Sequence, residues 1–423
     1  MECINFPGKT WEWKFVLPKT SGEVFKASKN NQVVAEVKHC EGVIICSFLF
    51  DFNEIPCTLS TKAQVGDLLT VRYLEYRIEL YVNNKLCDEE WPYGNICIEN
   101  ATILFSNTDM EITPYSVCKT NLPEVIGSFI NAEGWNPEDN VWVGDCMPFS
   151  HNGRYHVFYL KDRHKHKSKW GKGAHQWAHI SSEDLVNWNI HPMAIEIDEQ
   201  DEGSICTGSV ICYNNLFYAF YSIRTMDDSS APLCCSISQD GYHFVKSDMK
   251  FHISKKYKQS AVRDPKVFSD KNGLFHMLIT TSIRHGDDWQ GCLAHLTSSD
   301  LVNWREEEPT LLTEVYSKDF KTPWTIEPEC SDYFYKDGWY YLISRSQYWM
   351  SKEPFGPWKQ PQSPNIPCGV VPKMALWKNN RIIFTGFISP IGYAGFLTLR
   401  EAVQCEDGTL EFISVKEMET DFS

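Results

Sequence analysis

The chain lacks most of the features that would assign it quickly. Its 423 residues hold no Cys-x-x-Cys pair, which argues against a zinc ribbon. No stretch approaches the roughly 18 apolar residues of a membrane span, so no membrane partner is expected. Met1-Glu2-Cys3-Ile4-Asn5-Phe6-Pro7 has neither a basic segment nor an apolar one behind it, and the expectation is a chain without a secretory signal. Cations are scarce: 40 Lys and Arg stand against 55 Asp and Glu, a net charge of −15. With no basic face to offset that excess, nucleic acid is not an expected partner, while neutral or cationic ligands remain open. The 16 Cys are irregularly spaced and mostly lie in apolar runs such as Leu233-Cys234-Cys235, so they read as buried thiols of a cytoplasmic protein.

What is present is apolar and aromatic. Hydrophobic residues make up 43%, enough for one large core or two moderate ones. Aromatics reach 14% with 15 Trp, which suits a β-rich core and equally suits stacking on sugar rings.

Residues 1–115 read as a β-sandwich module. Leu74, Tyr76, Ile78, Leu80 and Val82 alternate with Glu75, Arg77, Glu79 and Tyr81, which predicts one strand with a core face and a wet face. Asn83-Asn84 then turns the chain into a returning strand over 86–91, and similar runs occur at 10–17, 33–37, 42–50 and 101–105. The hairpin around Asn83-Asn84 resembles those of lectin-type or laminin-G-type sandwiches, which leaves a spacer or a sugar-binding role open. Residues 116–135, with Pro123, Gly127 and Gly134, read as a linker.

Residues 136–423 repeat. Ala178-His179-Ile180 through Asp184-Leu185-Val186-Asn187-Trp188 returns as Ala294-His295-Leu296 through Asp300-Leu301-Val302-Asn303-Trp304, 116 positions later. A weaker copy around Asp240 lies midway and another ends at Trp358, so the unit is 55 to 60 residues long. Five hairpin signals follow the same period: Asn152-Gly153, Asn214-Asn215, Asn272-Gly273, Asp337-Gly338 and Asn379-Asn380, each before an apolar run. Four strands per unit and five units predict an all-β chain: a five-bladed β-propeller preceded by an N-terminal β-sandwich.

Three acids break this apolar pattern. Asp145 stands inside Val141-Trp142-Val143-Gly144-Asp145-Cys146-Met147, Asp264 follows Arg263, and Glu329 precedes Cys330-Ser331-Asp332. A carboxylate in low dielectric must be paired, hydrogen-bonded, solvated in a cleft or protonated. The inner strands of a propeller line one channel, so these acids are expected to meet at its mouth. Two carboxyl groups flanking a glycosidic bond suffice for glycoside hydrolysis, and a third can hold sugar hydroxyls. Glu327 is a rival acid, expected on the same strand face as Glu329. Trp142, Trp177 and Trp324 are candidate sugar platforms or core residues.

These segments resemble the β-fructosidases of glycoside hydrolase family 32 and its propeller relatives. Trp142-Val143-Gly144-Asp145 partly matches the family's WMNDPNG-like motif, with Gly144 in place of Asn and Cys146 in place of Pro. Arg263-Asp264-Pro265 is its RDP motif, Glu329-Cys330-Ser331-Asp332-Tyr333-Phe334 its WECPDFF-like motif, Thr207-Gly208-Ser209 is akin to its SGS, and Trp177-Ala178-His179 opens its WGHA-like run. The resemblance implies a retaining mechanism with Asp145 as nucleophile, Glu329 as general acid/base and Asp264 on the fructosyl hydroxyls. It further implies that Trp142, Arg263, Thr207, Ser209, Trp177, His179 and Trp324 serve substrate binding, that the substrate is a furanoside and that no metal or organic cofactor is needed. An inverting arabinofuranosidase or xylosidase, or a binding propeller without turnover, is the alternative. Oligomeric state is not legible.

One stretch goes against the acidic composition. Residues 161–175 carry Lys161, Arg163, Lys165, Lys167, Lys169 and Lys172 with His164, His166 and His175. A solvated loop, a zinc site that includes His179, and a loop whose Arg163 and Lys169 hold an anionic leaving group are the three readings.

Overall fold

A computed structural model describes residues 6–19, 21–51, 56–92, 94–116, 122–138, 141–163, 174–225, 229–390 and 392–419. The chain divides into two compact units, the first containing residues 6–116 and Ile197–Glu202, the second most of the remainder.

The first unit is a sandwich of two five-stranded antiparallel sheets. One is built on Thr10–Val16, Leu68–Leu74, Ile78–Val82, Lys85–Glu90 and Glu111–Pro114, the other on Gly22–Lys29, Gln32–Cys40, Val43–Phe48, Cys57–Lys62 and Thr102–Ser106. Trp11, Trp13, Phe15, Phe25, Phe48 and Phe50 fill the space between them. The alternating run at 74–82 is not one strand as its period suggested. Leu68–Leu74 and Ile78–Val82 form a hairpin with Tyr73 opposite Ile78, turning through Glu75 at φ +62°. Glu79, expected on the wet face, is buried and paired with Arg77 at 2.8 Å.

The second unit contains five consecutive antiparallel sheets, the blades I to V. Their innermost strands are Val141–His151, Glu202–Tyr213, Arg263–Ser269, Asp332–Lys336 and Val370–Trp377. Each returns through a hairpin at the expected position, with left-handed backbone at Asn152, Asn214, Gly273, Asp337 and Asn379. Such residues tolerate positive φ, and the twist of these turns matches that of the strands. Blade IV has only three named strands, its outer edge completed by isolated bridges such as Met350 to Lys359. Gly127–Ile130, expected in the linker, instead pairs with Asn187–Ile195 as a fifth strand of blade I. Apolar cores join blades II and III, III and IV, IV and V, and V and I, and blade I closes on blade V through the two-bond bridge between Val143 and Gly395, at 3.0 and 2.9 Å. Among the described residues no helix is long and apolar enough to cross a membrane.

The repeated Asp is a turn device between the third and fourth strands. Asp184 Oδ1 accepts the N–H groups of Val186 and Asn187 at 2.9 and 2.7 Å while Ser182 Oγ accepts that of Leu185 at 2.8 Å. Asp300 with Ser298, and Asp240 with Ser238, repeat the arrangement. Leu185, Leu301 and Gly241 occupy the left-handed position each turn requires. In Asp184 and Asp240 burial opposes ionisation, but the side chains of Asn187 and His243, followed by these backbone donors, outweigh it and hold both carboxyls down at about 2.

Candidate active site

Where the acids stand, the inner strands lose register. The pairing of blade I shifts between Val143 and Cys146, around Gly144 and Asp145, and that of blade III shifts between Arg263 and Lys266, around Asp264. Bulges re-aim side chains, and Asp264 takes φ +56° to do so. Glu329 lies on no strand. It sits in the loop before Asp332–Lys336, so the expectation that Glu327 and Glu329 share a strand face is replaced by a loop in which both turn to one guanidinium.

That guanidinium is Arg263, buried and reaching Glu327 at 2.7 Å, Glu329 at 2.8 Å and the Asp264 carboxylate at 3.8 Å. Cys330 links the remaining acids, its N–H donating to Asp264 Oδ2 at 2.8 Å and its thiol to Asp145 Oδ2 at 3.2 Å. Asp145, Asp264 and Glu329, drawn from blades I, III and the approach to IV, thus belong to one contiguous polar network.

The two glutamates differ sharply. Glu327 is buried and accepts from Tyr316 at 2.8 Å, Ser282 at 2.9 Å and Arg263. Burial works against its ionisation, but Arg263 and these donors outweigh it and hold the carboxyl below the ordinary range. The Glu329 side chain keeps 28% of its exposure. Its desolvation, aided by the Asp264 charge, outweighs Arg263 and raises the carboxyl above the ordinary range. One is a satisfied structural carboxylate, and the other is a reachable group biased toward its acid form.

The substrate-binding candidates separate in space. Thr207 Oγ1 donates to Asp145 Oδ2 at 2.5 Å and Arg263 is central, so both lie in the network. Trp324 is 51% exposed on the turn Pro323–Thr325, its carbonyl held by Arg345. Trp142 is half-buried beside Phe396. Ser209 instead ties blades II and III together, donating to Pro265 O and accepting from Val267 N–H, each at 2.8 Å. Trp177 is fully buried, bonded to Cys206 O and packed beside Gly208, so it is a core residue and not a platform. His179 is fully buried as well, 3.0 Å from His156 and stacked on Phe158. Blade III repeats this pair as His276 and His295, at 2.9 Å. Burial, then the neighbouring His156, holds His179 well below its ordinary range, so a neutral packing residue replaces the expected sugar contact.

Of the basic stretch, His164, His166, Lys165, Lys167, Lys169 and Lys172 lie outside the described residues. Arg163 is buried, and His175 bonds Asp162 at 2.9 Å, so His175 and His179 are engaged with different partners. Among the described residues no group of three or more His, Cys, Asp or Glu is arranged to hold a metal.

Sequence reasoning missed Tyr393, whose hydroxyl donates to Asp145 Oδ1 at 2.9 Å, and Lys373, buried with Nζ on Gly208 O at 3.1 Å. Tyr393 interrupts no pattern in its own segment, whereas Lys373 is a charge inside the apolar run Val370-Val371-Pro372-Lys373-Met374-Ala375-Leu376-Trp377, a signal of the same kind as Asp145.

Comparison with known proteins converges on the same stretch. Residues 137–352 match the glycosyl hydrolases family 32 N-terminal domain. The "Probable sucrose-6-phosphate hydrolase" of Psychromonas ingrahamii is 31% identical over 294 residues, which is 67% of this chain and 46% of that protein. The chain therefore spans less than half of this relative's length. The structure of sucrose-6-phosphate hydrolase from Lactobacillus gasseri superposes with a TM-score of 0.53 at 16% identity, over 68% of this chain and 63% of that one. A GH43 β-xylosidase/α-arabinofuranosidase from a compost microbial metagenome gives 0.51 at 14% identity, over 68% of this chain and 99% of that one. At such identities the two structures speak to the fold alone.

Proposed function

Since the chain belongs to glycosyl hydrolase family 32, we propose that it is a β-fructofuranosidase that releases a terminal fructosyl unit by double displacement. Asp145 attacks the anomeric carbon while Glu329 gives its proton to the leaving oxygen. Water, deprotonated by Glu329, then cleaves the fructosyl ester and restores both groups. Asp264 accepts from sugar hydroxyls, more strongly as the oxocarbenium-like transition state develops. Arg263 keeps the crowded acids from repelling one another, and Trp324 offers an exposed ring at the same loop. The pair of carboxyl groups completes the chemistry without a cofactor.

One observation carries this reading: Glu329 is raised while Glu327, two residues earlier, is lowered. Opposed environments separate a candidate acid from a spectator. The name of the Psychromonas ingrahamii relative favours a phosphorylated sucrose over a free one as substrate. The buried thiols Cys46, Cys146, Cys292 and Cys368 favour the cytoplasm. The test is release of hexose from sucrose and from sucrose 6-phosphate by the purified chain, beside Asp145→Asn. Fructose release by the wild type alone supports the assignment, and cleavage of xylosides or arabinosides in its place would move it to the inverting relatives.

A further inference from the structure

The Asp145 carboxylate is held from three blades, and its two oxygens are treated differently. Oδ2 accepts from the Thr207 hydroxyl of blade II and the Cys330 thiol ahead of blade IV. Oδ1 accepts from Tyr393, on the loop between Arg381–Ile388 and Phe396–Gln404 of blade V. The same phenol oxygen accepts the Asp145 N–H at 3.2 Å. With its proton on the carboxylate and a lone pair on the backbone N–H, this hydroxyl closes a clamp across the Asp145 side-chain torsions.

Two features show that the clamp is built in. A Cβ at Gly144 would lie 2.7 Å from the Tyr393 hydroxyl and 2.9 Å from Leu160 O, so the hydroxyl occupies the space that a side chain at 144 would need. The loop is also fixed: Gly395, two residues on, makes both bonds of the ring-closing bridge to Val143, two residues before Asp145. The Tyr393 ring packs on Phe387 at 5.5 Å and His175 at 5.2 Å, which keeps it over the carboxylate. The closure of the propeller and the aim of the candidate nucleophile are therefore one piece of structure.

From this geometry we infer that Tyr393 is a positioning residue for Asp145: it sets the carboxylate's orientation and takes the space left by glycine at 144. The inference rests on the reading of Asp145 as nucleophile. A hydrogen bond to a charged group carries enough energy to change a rate about 10- to 100-fold when lost. Tyr393→Phe, which keeps the ring, is expected to lower kcat for fructoside cleavage by about that factor with KM little changed.

The second measurement needs no turnover. The Asp145 signal in 13C-carboxyl-aspartate-labelled protein, identified by its absence in Asp145→Asn, should change its chemical shift in Tyr393→Phe, because one carboxylate oxygen loses its donor. If the wild type cleaves no fructoside, the functional reading fails and this signal alone decides the role of Tyr393. If the wild type is active but Tyr393→Phe keeps its kcat and its Asp145 signal, the positioning role is wrong and the functional reading stands. Should Tyr393→Phe not fold, Gly144→Ala displaces the same hydroxyl from the other side; an unchanged Asp145 signal there would equally overturn the inference.

Discussion

Carboxylates recur at two places in the propeller, and the contrast between them separates scaffold from chemistry. At the turns between third and fourth strands, Asp184, Asp240 and Asp300 are copies of one another, each satisfied by backbone N–H groups within its own blade. At the approach to the inner strands, Asp145, Asp264 and Glu329 occupy three different local structures, two bulges and a loop, and find their partners in other blades. A residue that returns with the repeat serves what every blade needs. A residue that interrupts it answers to something only one ring-wide site needs.

If that division holds, substitutions in the two sets should fail in different ways. Asp145→Asn is expected to lower kcat by at least about 10⁴-fold, and Glu329→Gln by about 10²- to 10⁴-fold, both with the wild-type far-UV spectrum and Tm. A large loss of Tm in either would place that carboxylate in the scaffold instead.

Glu327 lies between the two classes, unique in sequence yet fully satisfied. Glu327→Ala leaves Arg263 buried with one partner fewer and should cost about 3 to 5 kcal/mol in denaturant titration. A neutral outcome would mean that Arg263 is compensated by Glu329 and Asp264 alone. The repeated acids should show the reverse of the catalytic pattern. Asp184→Ala is expected to cost about 1 to 2 kcal/mol of stability with kcat/KM unchanged. Because the folded carboxyl is lowered to about 2, its contribution is fully present above the ordinary aspartate range. The gap between wild type and variant should therefore close as pH falls toward about 2; a gap that persists there would show that packing, not charge, carries it.

The smallest effect is the most diagnostic of the network. Asp264 raises Glu329, so Asp264→Asn should let Glu329 lose its proton at lower pH and move the alkaline limb of kcat/KM downward. An unmoved limb would uncouple the two acids.

The same contrast explains what the sequence could disclose. The blades were legible because each hairpin needs left-handed residues, and Asn, Asp and Gly mark them. The acids were legible because they stand in apolar runs where a charge is costly. His179 was legible as a motif but not as a core residue, and Trp177 was left between platform and core. Their strand, Gln176–Ser182, is buried at every position, and alternation cannot separate a site face from a core face when both are covered. The hairpin at Glu75 was hidden because Leu74 to Val82 keeps period two straight through the turn. Tyr393 was invisible because it meets Asp145 across 248 residues, a pairing created only by closure of the ring.

The proposed roles of Asp145 and Glu329 are those of nucleophile and acid/base in a retaining fructosidase. The direct measurement is NMR of the fructofuranose first released from a sucrose substrate, recorded before mutarotation. Retention at the anomeric carbon gives the β-anomer first. First appearance of the α-anomer would contradict it, since a single displacement by water leaves no place for a fructosyl ester on Asp145.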